Sequence, residues 1–272
     1  MDIRSILKKN NFTFEKKYGQ NFLTDYELLA DVVKKSGITS NSTVIEIGVG
    51  AGTLTSEIAK VAKKVYGFEI DLKLKPVLNE TLNEFSNVEI IYNDVMKLSM
   101  NEIESIFGGR YTLIANLPYY ITTPIIMRFI EEAKNCDAIV VTIQKEVALR
   151  ICAEPKTSDY GAITASINAV GNSEIVKFIG REKFYPVPNV DSAVVKIQID
   201  KNKYKIKDIS AFKRLVKCAF SMRRKTLVNN LIKEYKIDKI KAERLLDSID
   251  ISVSVRGEEL SAYEFIKLSE II

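Results

Sequence analysis

Short apolar runs alternate with helical stretches along the first part of the sequence, and this alternation constrains the fold more than any other feature. Each run is rich in β-branched residues, and an amphipathic stretch separates it from the next. That order predicts an α/β fold, a mostly parallel sheet with helices on both faces. Two later runs lack a long helix between them and predict an antiparallel final hairpin. The predicted strands of this seven-stranded sheet are residues 43–48, 65–70, 88–92, 111–115, 138–143, 175–179 and 191–200.

After residue 200 the pattern changes to helices alone. At 272 residues the chain is long enough for one large α/β domain and a smaller one. The Lys-rich segment 201–207 is the predicted linker between domains at 1–200 and 201–272. A basic N-terminal arm, residues 1–24, precedes the first strand. The predicted helices of the second domain are residues 208–220, 224–234, 238–247 and 258–270.

The composition excludes several kinds of chemistry. The chain has no histidine, which removes the commonest general base and metal ligand. Its three cysteines, Cys136, Cys152 and Cys218, form no Cys-x-x-Cys pair, so neither a disulfide framework nor a zinc site is expected. No apolar run approaches the ~20 residues that span a bilayer, and the N-terminus lacks the apolar core of a signal peptide. We therefore expect a cytoplasmic protein without a metal or a membrane partner.

The positive charge of the chain, a formal net +5, is concentrated in residues 201–225, called the basic block below. The block holds ten Lys or Arg residues and one acid, Asp208. A dense basic segment on a nearly neutral body is typical of a contact with a polyanion such as nucleic acid. A solvated helix face in a lysine-rich protein explains the same composition equally well, so charge alone leaves both interpretations open.

Glycines and acids follow the first three predicted strands. The loop Glu46–Gly52 contains Gly-x-Gly-x-Gly and opens a helix, and such glycines let a ligand approach the backbone closely. Glu69 ends the second strand, where a carboxylate can bind ribose hydroxyls. Asp94 ends the third strand, where it can accept a hydrogen bond from an adenine amino group. Each acid alone could equally be an N-cap, but together the three positions fit S-adenosylmethionine better than NAD.

The tetrapeptide Asn116-Leu117-Pro118-Tyr119 follows the fourth predicted strand and precedes a helical pattern. Open α/β sheets bind ligands at this end of their strands. The Asn side chain and the next carbonyl can accept hydrogen bonds from an exocyclic amino group, Pro fixes the turn, and the aromatic ring can stack on a flat heterocycle. The tetrapeptide therefore predicts methyl transfer to a planar nitrogen. The alternative is an ordinary strand-to-helix turn in which Asn116 caps backbone groups.

Five segments of the sequence together resemble the ribosomal RNA adenine dimethyltransferases. They are Lys17–Leu23, Glu46–Gly52, Asn116–Tyr119, Phe184–Val194 and Phe220–Leu231. The resemblance is to the small-subunit (16S-type) enzymes rather than to the macrolide-resistance methylases of large-subunit RNA. Leu117 stands where the resistance enzymes usually carry Ile, and Arg-Arg-Lys-Thr-Leu opens the helical domain. The resemblance implies the class I (Rossmann-like) S-adenosylmethionine-dependent methyltransferase fold, in which an antiparallel hairpin completes a parallel sheet.

The resemblance also implies roles for individual residues. The implied cofactor-binding residues are Asn21, Leu23, Gly48, Gly50, Glu69, Asp94 and Asn116. Among them, Gly48 lies against the methionyl part, Glu69 binds the ribose and Asp94 binds the adenine N6. The implied catalytic residues are Asn116, Leu117, Tyr119 and Phe184, and the implied RNA-binding residues are Arg223, Arg224 and Lys225. Phe184 would stack on a flipped adenine from the side opposite Tyr119; the alternative for Phe184 is an ordinary core aromatic beside a Pro turn.

The implied reaction is dimethylation at N6 of two adjacent adenosines near the 3′ end of small-subunit ribosomal RNA. The implied setting is subunit biogenesis, on a pre-30S particle, by a monomeric cytoplasmic enzyme. One alternative is a large-subunit (23S) adenine methyltransferase of the macrolide-resistance type. A second is a catalytically silent RNA- or DNA-binding relative, against which the intact Asn116, Glu69 and Asp94 argue. A third is a small-molecule N-methyltransferase, against which the basic block and the helical tail argue.

Overall fold

The computed structural model describes residues 2–272, apart from the side chain of Lys16, and comprises two compact units. Unit 1 is the chain up to Ala148 together with Glu174–Ile199, and unit 2 is Leu149–Ser173 together with Asp200–Ile272. The sequence pattern places residues 149–173 in the first domain, whereas in the structure they belong to unit 2. The reason is that the helix within this segment buries its alanines against the C-terminal helices.

Within residues 2–272, nine strands form two sheets. The strands are β1 (Phe22–Leu23), β2 (Thr43–Ile47), β3 (Lys64–Glu69), β4 (Val88–Tyr92), β5 (Tyr111–Asn116), β6 (Cys136–Gln144), β7 (Gly171–Ile179), β8 (Phe184–Tyr185) and β9 (Ser192–Ile199). The large sheet has seven strands in the order β4-β3-β2-β5-β6-β9-β7. Its first five strands pair in parallel, and β9 runs antiparallel to β6. This arrangement confirms the predicted α/β sheet with an antiparallel end.

Helices of unit 1 cover the sheet. They are α1 (Ile3–Lys9), α2 (Tyr26–Ser36), α3 (Thr53–Ala59), α4 (Lys75–Thr81), α5 (Met100–Ser105) and α6 (Thr122–Glu132), and α7 (Lys145–Ile151) follows β6. Local sequence signals determine where these helices begin and end, as α2 shows. The Asp25 side chain caps its N-terminus by accepting a hydrogen bond from the backbone N–H of Leu28 at 3.0 Å. Gly37, in the left-handed region, ends the helix. Apolar side chains of α2 and α3 share one buried cluster with six strands of the large sheet, which fixes the sheet against these helices.

A short second sheet joins the N-terminal arm to the segment before β9. β1 pairs antiparallel with β8, so that Phe22 lies opposite Tyr185 and Leu23 opposite Phe184. The arm itself contains α1, whose Ile3, Ile6 and Leu7 are buried. The arm is therefore packed onto unit 1 through apolar contacts, in addition to carrying the basic residues noted in the sequence.

Unit 2 is built from helices. They are α8 (Ala162–Val170), α9 (Ile209–Ala219), α10 (Leu227–Tyr235), α11 (Lys239–Asp247) and α12 (Ala262–Ser269). The sequence pattern predicts a helix from residue 224, but α10 begins only at Leu227, with Thr226 in the N-cap position. Residues 223–225 consequently lie in a turn. No helix within residues 2–272 is both long and apolar enough to cross a bilayer.

Candidate active site

A cavity of about 330 Å³ lies in unit 1, where β2, β3, β4 and β5 end. Ligands bind at this edge of open α/β sheets. The cavity brings together every cofactor-binding and catalytic residue predicted from the sequence: Asn21, Leu23, Gly48, Gly50, Glu69, Asp94, Asn116, Leu117, Tyr119 and Phe184 all line it. The predicted RNA-binding residues of the basic block belong to unit 2.

The loop after β2 exposes backbone to the cavity because glycine allows it. Gly48 and Gly50 have φ values of +75° and +58°, in the left-handed region that other residues rarely adopt. A Cβ on Gly50 would lie 2.8 Å from the ring of Phe22, which is too close for any side chain. Phe22 therefore packs directly on the loop, and the loop backbone forms part of the cavity wall.

Glu69 holds the same loop in place. One carboxylate oxygen accepts a hydrogen bond from the N–H of Gly50 at 2.8 Å, and the other accepts from the N–H groups of Ile70 and Asp71 at 2.9 and 2.8 Å. Burial raises the pKa of Glu69, although these backbone hydrogen bonds oppose the rise. The next 3₁₀ turn is capped by Asp71, which accepts from the N–H of Lys73 at 3.1 Å. Glu69 is thus a bracing carboxylate at the cavity rather than a simple N-cap.

Asp94 does cap a turn. Its Oδ1 accepts a hydrogen bond from the N–H of Met96 at 3.0 Å and so starts the 3₁₀ turn Val95–Lys97. This is the N-cap role that the sequence leaves open for an acid in this position. Asp94 also lines the cavity, so the cap orients the carboxyl group beside this space.

The Asn116 amide is oriented by the N-terminal arm. Its Nδ2 donates a hydrogen bond to the carbonyl of Asn21 at 2.9 Å. The turn that follows is closed by another group, because the carbonyl of Pro118 accepts from the N–H of Ile121 at 3.1 Å and from the hydroxyl of Thr122 at 3.2 Å. A carbonyl can bind only the NH₂ end of an amide. Oδ1 is therefore the end of the Asn116 side chain that is left to accept a hydrogen bond.

Two aromatic residues lie in the cavity wall. The hydroxyl of Tyr119 is 2.9 Å from that of Ser192, a fully buried residue, and burial raises the pKa of Tyr119. Phe184 is 1 % exposed and shares a buried apolar cluster with Leu23. Phe184 is thus anchored in the core and also lines the cavity, and its stacking on a base stays a prediction.

The N-terminal arm forms one wall of the cavity. The Nε2 of Gln20 donates to Asp71 at 2.7 Å, and the hydroxyl of Thr53 donates to the carbonyl of Leu23 at 2.9 Å. Gln20 and Tyr18 line the cavity, but the sequence analysis does not single them out. The signal that could have found both residues is their place inside the recognised Lys17–Leu23 segment.

Glu46 is a buried carboxyl that the sequence analysis names only as the start of the glycine loop. It lines the cavity and is 1 % exposed, and its Oε2 has no hydrogen-bond partner in the described part of the chain. Burial raises the pKa of Glu46 from its usual 4.5 to about 8, and the nearby Glu69 carboxyl adds to the rise. An unpartnered acceptor at this depth is available to a cationic or hydrogen-bond-donating ligand group.

Replacing Glu46 with Gln is expected to change how stability depends on pH. Between pH 4.5 and about 8 the folded state holds a proton that the unfolded state has lost. Glu46 therefore contributes a fall of about 1.4 kcal/mol in the free energy of unfolding for each unit of rising pH in this window. Glu46→Gln removes the group and this slope with it. Urea unfolding at several pH values across the window measures the effect, and Glu84→Gln, at an exposed position, is the control. Parallel slopes for wild type and Glu46→Gln would contradict the prediction.

Arg223 is engaged within unit 2. Its guanidinium donates to the carbonyls of Ser158 and Tyr160 at 2.7 and 3.1 Å and to Glu258 at 3.2 Å. Arg224 and Lys225 are exposed in the same turn. The three predicted RNA-binding residues are therefore not equivalent: one holds neighbouring backbone in place, while two point their charge at solvent.

Comparison with known sequences gives full-length matches. The family model described as "Ribosomal RNA adenine dimethylase" matches residues 11–272. The "Ribosomal RNA small subunit methyltransferase A" of Clostridioides difficile (strain 630) is 42% identical over 272 residues, which cover 99% of this chain and 94% of that protein. The protein of the same name from Bacillus licheniformis is 41% identical over 277 residues, covering 98% and 94% of the two chains.

Solved structures agree with these matches. The crystal structure of a dimethyladenosine transferase from Plasmodium falciparum aligns with a TM-score of 0.78 and 25% identity, covering 91% of this chain and 95% of that one. The 23S rRNA methyltransferase ErmE aligns with a TM-score of 0.70 and 24% identity, covering 92% and 98%, and shows the fold alone. Together they confirm the predicted class I fold. The full-length match to the family model and the level of identity to its curated relatives confirm the resemblance drawn from the five motifs: this chain belongs to the ribosomal RNA adenine dimethylase family.

Proposed function

We propose that this chain dimethylates N6 of two adjacent adenosines near the 3′ end of small-subunit (16S-type) ribosomal RNA, with S-adenosylmethionine as the methyl donor. The observation that carries the proposal is the orientation of the Asn116 amide. Its Nδ2 donates to the Asn21 carbonyl, which leaves Oδ1 at the cavity as an acceptor for an amino group. The full-length relatives named small subunit methyltransferase A support the choice of RNA.

The residues of the cavity fit S-adenosylmethionine. The unpartnered Oε2 of Glu46 would accept a hydrogen bond from the ammonium of the methionyl part. The backbone of Gly48 and Gly50 would lie against that part, as would the arm residues Asn21 and Leu23, which share the cavity. A cavity of about 330 Å³ is within the usual range for small-molecule sites.

The two strand-end acids supply the remaining contacts. The Glu69 carboxylate accepts three backbone N–H bonds and retains lone pairs that would bind ribose hydroxyls. Asp94 would accept a hydrogen bond from the adenine N6. When bound, the cofactor supplies an electrophilic methyl group on sulfur.

The chain's own part in the reaction is to hold the target amine. Asn116 Oδ1 and the Leu117 carbonyl would each accept a hydrogen bond from the N6 of the target adenine. Two such bonds favour a nitrogen whose lone pair is less delocalised into the ring and is aimed for in-line attack. The Tyr119 ring, held through Ser192, would stack on the base, and Phe184 would close the opposite side. The methylated nitrogen is cationic and acidic, so water can remove its proton and no histidine is needed.

We assign RNA binding to unit 2, and within it to the exposed cations of the basic block. Several other cations of the block form ion pairs inside the unit, as Lys207 does with Glu270 and Arg214 with Glu234. Arg224 and Lys225 are exposed cations of the recognised segment, as is Arg223, whose guanidinium is bound to two carbonyls and Glu258. We further propose that the substrate is a pre-30S particle, since an assembling ribosomal subunit carries the target RNA. We also propose that the enzyme is a monomer and acts in the cytoplasm.

Changing Arg224 and Lys225 together to Gln is expected to weaken RNA binding and to flatten its salt dependence by about one unit of slope for each lost phosphate contact. Cofactor affinity and melting temperature should stay near wild type, because both side chains are exposed. Filter binding across a salt series measures the slope. Arg223→Gln is the matched variant: it should lower the melting temperature because it removes a donor from two carbonyls and Glu258. An unchanged slope in a folded double variant would rule out phosphate contacts by this pair.

The proposed function is tested by methylation of small-subunit particles that lack the modification. The purified chain is incubated with labelled S-adenosylmethionine and either these particles or large-subunit RNA, and the modified bases are mapped. Dimethyladenosine at two adjacent positions near the 3′ end of the small-subunit RNA is the expected result. Label in the large-subunit RNA instead would favour the macrolide-resistance type. RNA binding without any transfer would favour a catalytically silent relative.

A further inference from the structure

Arg128 is a nearly buried arginine on α6 that none of the site assignments above uses. Its side chain is 13% exposed. Nη1 donates a hydrogen bond to the carbonyl of Val95 at 2.7 Å, and Nη2 donates to the carbonyl of Leu98. Nε faces the carboxylate of Glu132 at 3.4 Å, one turn along the same helix and half exposed. The two terminal nitrogens of the guanidinium thus both bind backbone carbonyls of the same loop.

That loop is the one that begins at Asp94. Val95 and Leu98 bracket the 3₁₀ turn Val95–Lys97, which starts where Asp94 accepts the N–H of Met96. Both Val95 and Met96 line the cavity, and of the two Val95 is buried while Met96 is exposed. The turn therefore fixes the position of the Asp94 carboxyl, and Arg128 fixes the position of the turn.

The helix that carries Arg128 begins at Thr122, three residues after the tetrapeptide Asn116–Tyr119. Thr122, its first residue, donates its hydroxyl to the carbonyl of Pro118 at 3.2 Å. The apolar side of α6 is held in the core, where Ile125 and Phe129 are at most 1% exposed. One helix, α6, therefore contacts both the loop after β4, through Arg128, and the turn after β5, through Thr122.

We propose that Arg128 is a positioning residue for adenine recognition: it holds the Val95–Leu98 backbone so that Asp94 meets the N6 of the cofactor's adenine. This inference rests on the proposed role of Asp94. A planar guanidinium donates from two nitrogens that are held in one rigid fork, and here each nitrogen binds a different carbonyl. Lysine in its place would keep the charge but present a single nitrogen on a flexible stem, which holds the two carbonyls less rigidly, and methionine would keep the apolar stem alone.

The test compares two ligands that differ at one group, S-adenosylhomocysteine and S-inosylhomocysteine, whose base carries a carbonyl in place of the N6 amine. Calorimetric titration gives the dissociation constant of each, and their ratio measures adenine recognition. Wild type should prefer the adenosyl ligand. In Arg128→Met this preference should fall about tenfold, the equivalent of about 1.4 kcal/mol, because the adenosyl ligand weakens while the inosyl ligand changes little. Arg128→Lys should restore only part of the preference.

Controls separate this inference from its alternatives. Glu132→Gln removes the exposed ion pair and leaves both carbonyl bonds, so it should keep the wild-type preference. Asp94→Ala should abolish the preference; if it does not, the role of Asp94 in the proposed function is wrong and the inference falls with it. If Asp94→Ala behaves as expected but a folded Arg128→Met keeps the preference, or weakens both ligands equally, only the Arg128 inference is overturned. Melting curves report folding, and Arg128→Lys carries the same test if Arg128→Met does not fold.

Discussion

Asn116→Ala is expected to lower the single-turnover methylation rate by about 10²–10³-fold, as loss of one oriented polar group in a preorganised site does. The reason is that Oδ1, fixed by the hydrogen bond from Nδ2 to the Asn21 carbonyl, is the proposed acceptor for the target N6. Binding of RNA should be almost unaffected. Rapid-quench methylation with saturating cofactor and particle measures the chemical step apart from binding.

The competing view of Asn116 as a turn cap predicts a different result. Loss of a cap would cost ~1 kcal/mol of stability and little rate at low temperature. The structure already argues against this view, because the turn is closed through the carbonyl of Pro118 and the Asn116 side chain bonds to the arm. A near-normal single-turnover rate in a folded Asn116→Ala enzyme would nevertheless refute the catalytic role.

Tyr119 provides the matched comparison. Stacking needs the ring and not the hydroxyl, so Tyr119→Phe should keep a methylation rate close to wild type. It should also cost about 1 kcal/mol of stability, because the fully buried Ser192 loses its partner at 2.9 Å. Tyr119→Ala should instead weaken capture of the base. A large rate loss in Tyr119→Phe would show that the hydroxyl takes part in the reaction.

The parallel sheet could be predicted from the sequence because each of its strands carries a local signal. β3, for example, differs from the predicted residues 65–70 by one residue at each end. The pairing of β1 with β8 could not be predicted in the same way. Each is two residues long, too short to show a period of two, and their pairing depends on tertiary contacts.

The membership of residues 149–173 in unit 2 has the same kind of cause. α8 is a local feature, but the sequence does not say which core its buried face joins. Ala165 and Ala169 are buried with Phe212 and Leu215 of α9, and that contact is visible only in the folded chain. Alanine-rich helices carry too little local pattern to reveal their partner.

The position of the site was predictable, whereas its hydrogen bonds were not. Glu69 and Asn116 end parallel strands and Asp94 lies two residues after another, and such strand ends meet at one edge of a sheet. The bonds that orient these residues go mostly to main-chain groups: the carbonyl of Asn21 for Asn116 and three N–H groups for Glu69. Every residue carries such groups, so the sequence holds no signal for them. Arg223 is a further instance, since two of its partners are carbonyls.

Glu69→Ala is expected to weaken S-adenosylmethionine binding by about 2–3 kcal/mol, or about 30–150-fold, through loss of charge-assisted hydrogen bonds to the ribose. The structure adds a second effect. Without the carboxylate, the N–H groups of Gly50, Ile70 and Asp71 lose their acceptor, so the loop that forms the cavity wall is also released. We therefore expect a lower melting temperature of the free protein as well, while RNA affinity stays near wild type.

The two effects of Glu69 can be separated by experiment. Glu69→Gln keeps the volume and one acceptor oxygen, so it can bind either the Gly50 side or the Asp71 side of the loop, but it presents no charge to the ribose. If the ribose contact dominates, Glu69→Gln should lose nearly as much cofactor affinity as Glu69→Ala while melting closer to wild type. Calorimetric titration and melting curves give both quantities, and Glu84→Ala, at an exposed position of the same unit, is the control. Wild-type cofactor affinity in Glu69→Ala would remove the ribose assignment and leave Glu69 a brace of the glycine loop alone.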